Sequence, residues 1–374
     1  MAGLYIHIPF CKQACSYCNF HFSTRLGQME EMVDAIIREI ELRADYLENE
    51  QLESVYFGGG TPSLLSSGQL EKIWHTVESH FRVNEGMEIT LEANPDDLTH
   101  GKLVELKAGP VNRLSIGIQS FRDLDLRFMH RVHDTRQAVS CLEEAIRIGL
   151  NNLSVDLIYG TPGMSDEVWN ENLQKVESYG IPHLSCYALT VESKTLLAHQ
   201  IRHHQVPAPV EEVMTSQFYQ LVNFAAERGY EHYEISNFAR SDHLAVHNTN
   251  YWKQKSYLGV GPSAHSYNGS ARSWNIANNA RYMQAISQGN LPMTVEFLTP
   301  DQHYNEYVMT GLRTQWGCRE SELKRLGEQY FLDFQKGVQT FIECGWISLR
   351  EGSYRLSTDG KLFADFIASE LFVV

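Results

Sequence analysis

The sequence predicts an α/β fold. An incomplete parallel (β/α)6 barrel with its extension occupies residues 1–298, and a smaller helical, winged-helix-like domain occupies residues 299–374. Three observations predict it. Short apolar runs alternate with stretches of helical periodicity through the first two hundred residues, the pattern of a parallel sheet with right-handed crossovers. Six such units fit an open barrel better than the closed eight-unit form. Near the C-terminus, helical stretches surround a strong hairpin signal at residues 346–356, centred on Glu351 and Gly352.

The barrel reads in order. Leu4–Ile8 is a first apolar strand. Met29, Met32, Val33, Ile36, Ile37 and Ile40 then recur at helical spacing, continued by Ala44 and Leu47. Ser54–Phe57 is a second strand, followed by a helix over 66–81 with Ser66 or Ser67 as its cap. Strands at 87–93, 113–119, 153–159 and 183–189 follow, with helices at 99–108, around Ala138–Ile146, and at 165–179. His199, His203 and His204 lie in a polar stretch that reads as a solvated linker rather than a metal site. A long helix is expected over 210–228. Residues 230–238, 257–261 and the surroundings of Asn275 show no clear period. One helix is expected over 358–371.

Composition narrows the function classes. Hydrophobic residues make up 43% of 374, enough for a sizeable core, and the net charge is −15. No Lys/Arg run supplies the basic face of a nucleic-acid binder. No apolar run spans a bilayer, which leaves peripheral membrane contact open. Seven cysteines do not form a disulfide framework: Cys141, Cys186, Cys318 and Cys344 read as buried thiols, and a cytoplasmic setting is expected.

The other three, Cys11, Cys15 and Cys18, have the spacing C-x3-C-x2-C. A cubic 4Fe–4S cluster normally takes four thiolates. Three leave one iron open to a small molecule. The rival is a Cys3His zinc site with His21, but zinc-binding modules pair their ligands and no second pair is present. Other suspicious residues stand at strand ends, where parallel barrels collect function. Gly58-Gly59-Gly60-Thr61-Pro62 follows the second strand and lacks the Gly-Lys-Ser/Thr of a phosphate loop. Glu92 closes the third strand and Gln119 the fourth. Asp156 lies in the fifth, and Arg131 in His130-Arg131-Val132-His133.

The triplet, Tyr5-Ile-His-Ile-Pro-Phe-Cys11, GGGTPS, EANP, IGIQSF and DLIYGTPG resemble the radical SAM superfamily. Within it they resemble the subgroup that holds oxygen-independent coproporphyrinogen III oxidase and the HemW-type haem chaperones, over nearly the whole chain. The resemblance implies a 4Fe–4S cluster on Cys11, Cys15 and Cys18 that cleaves S-adenosylmethionine to a 5′-deoxyadenosyl radical. It implies cofactor contacts from Tyr5, Gly59 and Glu92, with Tyr17, Gly60, Thr61, Gln119, Arg131, Asp156 and Ala188 completing the pocket.

Two functions follow from it. One is radical decarboxylation of coproporphyrinogen propionates; the other is haem binding and delivery to an acceptor apoprotein. Phe20 stands where the oxidases carry a further Cys, and the segment that precedes their motif is absent. His247-Asn-Thr-Asn-Tyr251-Trp252 matches the HNxxYW motif of the chaperones. His247, Tyr251 and Trp252 are therefore the expected haem residues. Imidazole is a common axial ligand, and His247 and Tyr251 share a face if the segment is helical. His265 is a second candidate. The expectation is a haem chaperone, with the oxidase as the alternative.

Overall fold

The computed structural model describes residues 2–48 and 51–373. Its central element is a sheet in which six strands run parallel in sequential order: β1 (Ala2–Ile8), β2 (Leu52–Gly59), β3 (Glu88–Ala93), β4 (Arg113–Gln119), β5 (Leu153–Tyr159) and β6 (His183–Ala188). Helices cover one face: α1 (Met29–Leu42), α2 (Ser67–His80), α3 (His100–Ala108), α4 (Asp123–Phe128), α5 (Thr135–Arg147) and α6 (Asp166–Ser178). Strands covered by helices must be apolar on both faces, and every residue of β4 is buried. Local signals agree with the packing. Ser66 and Asp134 close capping boxes with Gln69 and Gln137. α5 then turns Ala138, Cys141, Leu142 and Ala145 into the core, where full burial of one leucine contributes about 1.5–3 kcal/mol.

The barrel does not close on itself. β9 (Tyr257–Val260) adds in parallel to the free edge of β1, and β8 (Asn237–Ala239) pairs antiparallel with β6. With β7 (Glu231–His232), β10 (His265–Tyr267), β11 (Ala271–Asn275) and β12 (Met293–Phe297) the sheet reaches twelve strands. The segments without a clear period are these added strands. All six are two to five residues long, too short for an alternation to show. Residues 196–202 form a helix, α7, rather than linker, followed by α8 (Glu211–Glu227), α9 (Val246–Trp252) and α10 (Asn279–Ser287).

A second core lies within residues 304–373, around Tyr304, Leu312, Phe334, Ile347 and Ile367. It joins α11 (Pro300–Leu312), α12 (Glu320–Leu326), α13 (Glu328–Gly337) and α14 (Gln339–Glu343) to a three-stranded sheet of β13 (Cys318–Arg319), β14 (Ile347–Arg350) and β15 (Ser353–Leu356). The hairpin turns at Glu351 and Gly352, both with positive φ. Two expectations need correction. The closing helix is broken into α15 (Thr358–Lys361) and α16 (Ala364–Glu370). Gly360 lies against the Trp346 carbonyl, where a Cβ would sit 2.2 Å from the oxygen, and Phe363 stacks on Trp346 at 4.5 Å. Seating that contact bends the chain. Cys344 is exposed, whereas Cys141, Cys186 and Cys318 are buried as expected. Among the described residues no helix is long and apolar enough to cross a membrane.

Candidate functional site

The cysteine loop leaves the C-terminal end of β1 and is held from several sides. Cys11 N donates to Ser23 O at 3.0 Å, Ser16 N to Met129 O at 3.1 Å, and Leu197 N to Ser16 O at 2.7 Å. Lys12 pairs with Asp96 at 2.7 Å and also with Asp97. The glycines beside the loop are there for space. Gly60 N donates to Ile8 O, and a Cβ at Gly60 would lie 2.5 Å from Phe10 O. Gly59 takes φ +106° with a virtual Cβ 2.5 Å from the His7 ring, a region that favours glycine.

The donor set fits a cluster. Cys11, Cys15 and Cys18 are half-buried. The Thr61 hydroxyl donates to Cys11 Sγ at 3.4 Å and Arg131 Nη1 to Cys15 Sγ at 3.3 Å, both of which favour thiolate. Burial pushes the Cys11 thiol up to about 11 and raises Cys18 too, the other cysteines adding to both. Such buried thiols call for a cationic partner. Among the described residues no three His, Cys, Asp or Glu side chains converge on one metal position. His21 Nε2 is instead bonded to Asn279 Oδ1 at 2.7 Å. A cubic cluster asks for three thiolates spread over different irons.

The strand ends place the other predicted residues around this loop. Arg131 Nη2 donates to Asn94 Oδ1 at 2.6 Å and to Gly117 O at 2.7 Å; Asn94 Nδ2 in turn donates to Thr61 Oγ1 at 3.2 Å. Gln119, at φ +69°, brings its amide beside Gly117 and therefore beside Arg131. Glu92 accepts from the Tyr56 hydroxyl at 2.7 Å and from Gly59 N at 3.2 Å. Burial, with the Asp156 charge adding to it, pushes its carboxyl up to about 7 against the lowering effect of the Tyr56 hydrogen bond. Asp156 accepts from Ser115 Oγ at 3.2 Å and is pushed up to about 6, chiefly by burial. Tyr17, its phenol raised by burial, lies in the field of Arg131, Cys15, Cys18 and Asp156. The Tyr5 hydroxyl meets His7 Nδ1 at 3.1 Å. Two carboxyls destabilised as anions beside an electron-rich loop suit a ligand carrying sulfonium and ammonium charge.

The HNTNYW segment is helical, as α9 requires, and His247 and Tyr251 do share a face: His247 Nε2 meets the Tyr251 hydroxyl at 3.0 Å. His247 Nδ1 meets Ser54 Oγ at 2.8 Å, and the ring stacks on Tyr56 at 5.0 Å. Only 2% of His247 is exposed, and burial pushes its imidazole down to about 3. Against the expectation of a free axial ligand, both ring nitrogens are engaged. An iron could reach one only by displacing Ser54 or Tyr251. His265 is exposed on β10 and stacked on Trp274 at 6.0 Å.

Trp252 ends α9 and walls two cavities. One, of 890 Å3, opens beside the ends of β5 and β6 at Tyr159 and Ala188 and is lined also by Tyr251, Met214, Arg313 and Phe366. The other, of 860 Å3, lies between the end of α9 and the C-terminal domain. Sequence reasoning gave Asn94 no role, although it lies within the EANP motif, and it missed Tyr56 and Glu88. Glu88 accepts from Val246 N at 2.8 Å and His247 N at 3.0 Å, which anchors α9. Nothing in the sequence links residue 88 to residue 247.

Comparison with known proteins agrees with this fold. A model of the radical SAM superfamily matches residues 5–176, and one of the HemN C-terminal domain matches residues 298–363. The fold and the site thus define a radical SAM protein with a HemN-type C-terminal domain. Heme chaperone HemW of Mycobacterium tuberculosis is 32% identical, over 99% of this chain and 94% of that protein. Heme chaperone HemW of Bacillus subtilis is also 32% identical, over 98% and 97%. The mitochondrial radical S-adenosyl methionine domain-containing protein 1 of Bos taurus is 35% identical over 87% and 71%. The chain belongs to the HemW family. Coproporphyrinogen III oxidase (HemN) of Escherichia coli has the same fold, with a TM-score of 0.85, 24% identity and coverage of 100% and 90%. Membership of the superfamily implies a 4Fe–4S cluster and S-adenosylmethionine.

Proposed function

We infer that this protein is a haem chaperone: it binds haem and passes it to an acceptor apoprotein, on a scaffold that holds a 4Fe–4S cluster and S-adenosylmethionine. Cys11, Cys15 and Cys18 would hold the cluster. Tyr5, Tyr17, Gly59, Gly60, Thr61, Glu92, Gln119, Arg131, Asp156 and Ala188 would surround the cofactor. When bound and reduced, the cluster supplies an electron for cleavage of the sulfonium. The protein's own part is to keep Cys11 and Cys15 supplied with donors and to present Glu92 and Asp156 to the cofactor's positive charge.

The observation that carries the haem reading is the placement of Trp252. The last residue of the HNTNYW segment offers a large flat surface to two cavities, each of a size suited to a sizeable ligand. His247 supports this wall from behind by fixing Tyr251. Phe20, 69% exposed, occupies the place of the oxidases' additional Cys and argues against decarboxylation. The cytoplasmic placement rests on thiols that are free among the described residues.

Haem titration into the anaerobically purified chain tests the reading. Near-stoichiometric binding is expected, weakened by Trp252→Ala and by His247→Ala. His247→Ala should keep the wild-type iron-ligation spectrum, because the imidazole acts through Tyr251. Absence of any specific haem complex in the wild-type chain would remove the chaperone reading.

A further inference from the structure

The two cavities that share Trp252 differ in charge. The barrel-mouth cleft carries three carboxylates, Glu211, Glu234 and Asp365, against two cations, Arg313 and Lys361. Arg313 is paired with Asp365. The outer cavity reverses this, with three cations, Lys253, Arg319 and Arg325, against one carboxylate, Glu322, which is bound to Arg325 at 2.7 Å. In a chain of net charge −15 this is a local exception. Among the described residues neither Lys253 nor Arg319 has an ion-pair partner. Burial, then repulsion from Lys255 and Arg319, holds the Lys253 ammonium below the ordinary lysine range. An anion in the cavity would relieve that repulsion.

The walls specify more than charge. Trp252 closes one side, and Trp316 stands in the lining with the Lys253 ammonium 4.3 Å from its ring centroid. A flat aromatic ligand can lie on such surfaces. His303 of α11 is half-buried and, among the described residues, is the one imidazole on either cavity wall. His247, by contrast, is closed off by Ser54 and Tyr251. Met214, the soft ligand of the barrel-mouth cleft, is packed against Gly160. A planar macrocycle with two carboxylates and an iron needs an aromatic wall, two cations and an axial donor, and the outer cavity has all three. Its 860 Å3 lies within the roughly 300–1,000 Å3 usual for ligand sites.

We propose that haem is held in the outer cavity, with His303 as axial ligand, Trp252 and Trp316 against the macrocycle, and Lys253 and Arg319 on the propionates. The barrel-mouth cleft is then left to the cofactor side of the protein. This assignment rests on the reading of haem as cargo.

The test is haem titration into the full chain, followed by absorption spectroscopy, for wild type, His303→Ala, Arg319→Glu and, as a barrel-mouth control, Lys361→Gln, which removes a cation of that cleft. Iron and sulfide content after reconstitution reports that each variant is folded. His303→Ala should shift the Soret band and weaken binding about tenfold or more, and added imidazole should restore the spectrum. Arg319→Glu should weaken binding about tenfold with ligation unchanged. Lys361→Gln should bind as wild type. If wild type binds haem while His303→Ala and Arg319→Glu match it, or if Lys361→Gln alone weakens binding, the haem lies elsewhere and only this assignment falls. If wild type binds no haem, the chaperone reading falls with it.

Discussion

At the scale of single residues, Glu92 makes the cofactor reading measurable through pH. Its carboxyl is pushed up to about 7, first by burial and then by Asp156. A cationic ligand prefers the carboxylate, so affinity for S-adenosylmethionine should rise as pH rises through 7. One unit below that value, binding should be roughly tenfold weaker than on the alkaline plateau. Glu92→Gln should be weak at all pH values and flat. Calorimetric titration between pH 6 and 8.5 reads this directly, and a wild-type profile as flat as that of Glu92→Gln would remove Glu92 from the cofactor site. Gly60→Ala tests the loop. A methyl group 2.5 Å from Phe10 O must displace the start of the cysteine loop, so iron retained after reconstitution should fall well below wild type while far-ultraviolet circular dichroism is unchanged. Full iron retention would mean that the close approach at Gly60 is dispensable. Most of these residues were legible because the chemistry is concentrated in short motifs: three cysteines at fixed spacing, and polar groups ending apolar strands. What was not legible is contact between distant positions. Asn94 bridging Arg131 and Thr61, and Ser54 holding His247, depend on strand order and register, which no local pattern carries.

At the scale of elements, α9 is the piece that ties the barrel to both cavities. It is seven residues long, too short to be stable alone. Its first turn is held by the Glu88 carboxylate through two backbone N–H groups, and its side chains by Ser54 and by the Tyr56 ring. Glu88→Gln can keep one of those bonds and sets an amide donor against the other N–H. It should cost about 1–3 kcal/mol. Hydrogen exchange at the amides of Val246 and His247 should accelerate accordingly, and unchanged protection would show that packing alone anchors the helix. The same scale separates what periodicity reveals from what it hides. The six parallel strands and five of the helices between them were readable because each turns an apolar face to the core, whereas α4, six residues long, was not. Strands β7 to β11 were not, since each has five residues or fewer and owes its place to a neighbouring edge. The break between α15 and α16 escaped notice for a related reason. It is set by Gly360 and Phe363 seating on Trp346 of the hairpin, a tertiary contact rather than a helix-breaking sequence.

At the scale of the whole molecule, two cores meet across the cavities that Trp252 divides, and the proposed cofactor and cargo sites are separate in space. The cluster loop and the buried carboxyls stand at the barrel mouth. The cationic, aromatic cavity lies between the barrel extension and the C-terminal domain. Separate sites allow haem binding without a filled cluster, and Cys11→Ala should spare haem affinity while abolishing stable iron–sulfur incorporation. Loss of both together would mean that the two sites are one. The central claim is that a radical SAM scaffold here carries haem instead of decarboxylating its precursor. The measurement that tests it most directly is a parallel anaerobic assay of the reconstituted chain, with haem in one arm and coproporphyrinogen III with S-adenosylmethionine and a reductant in the other. A near-stoichiometric haem complex and no protoporphyrinogen IX are expected. Efficient formation of protoporphyrinogen IX with no specific haem complex would contradict it.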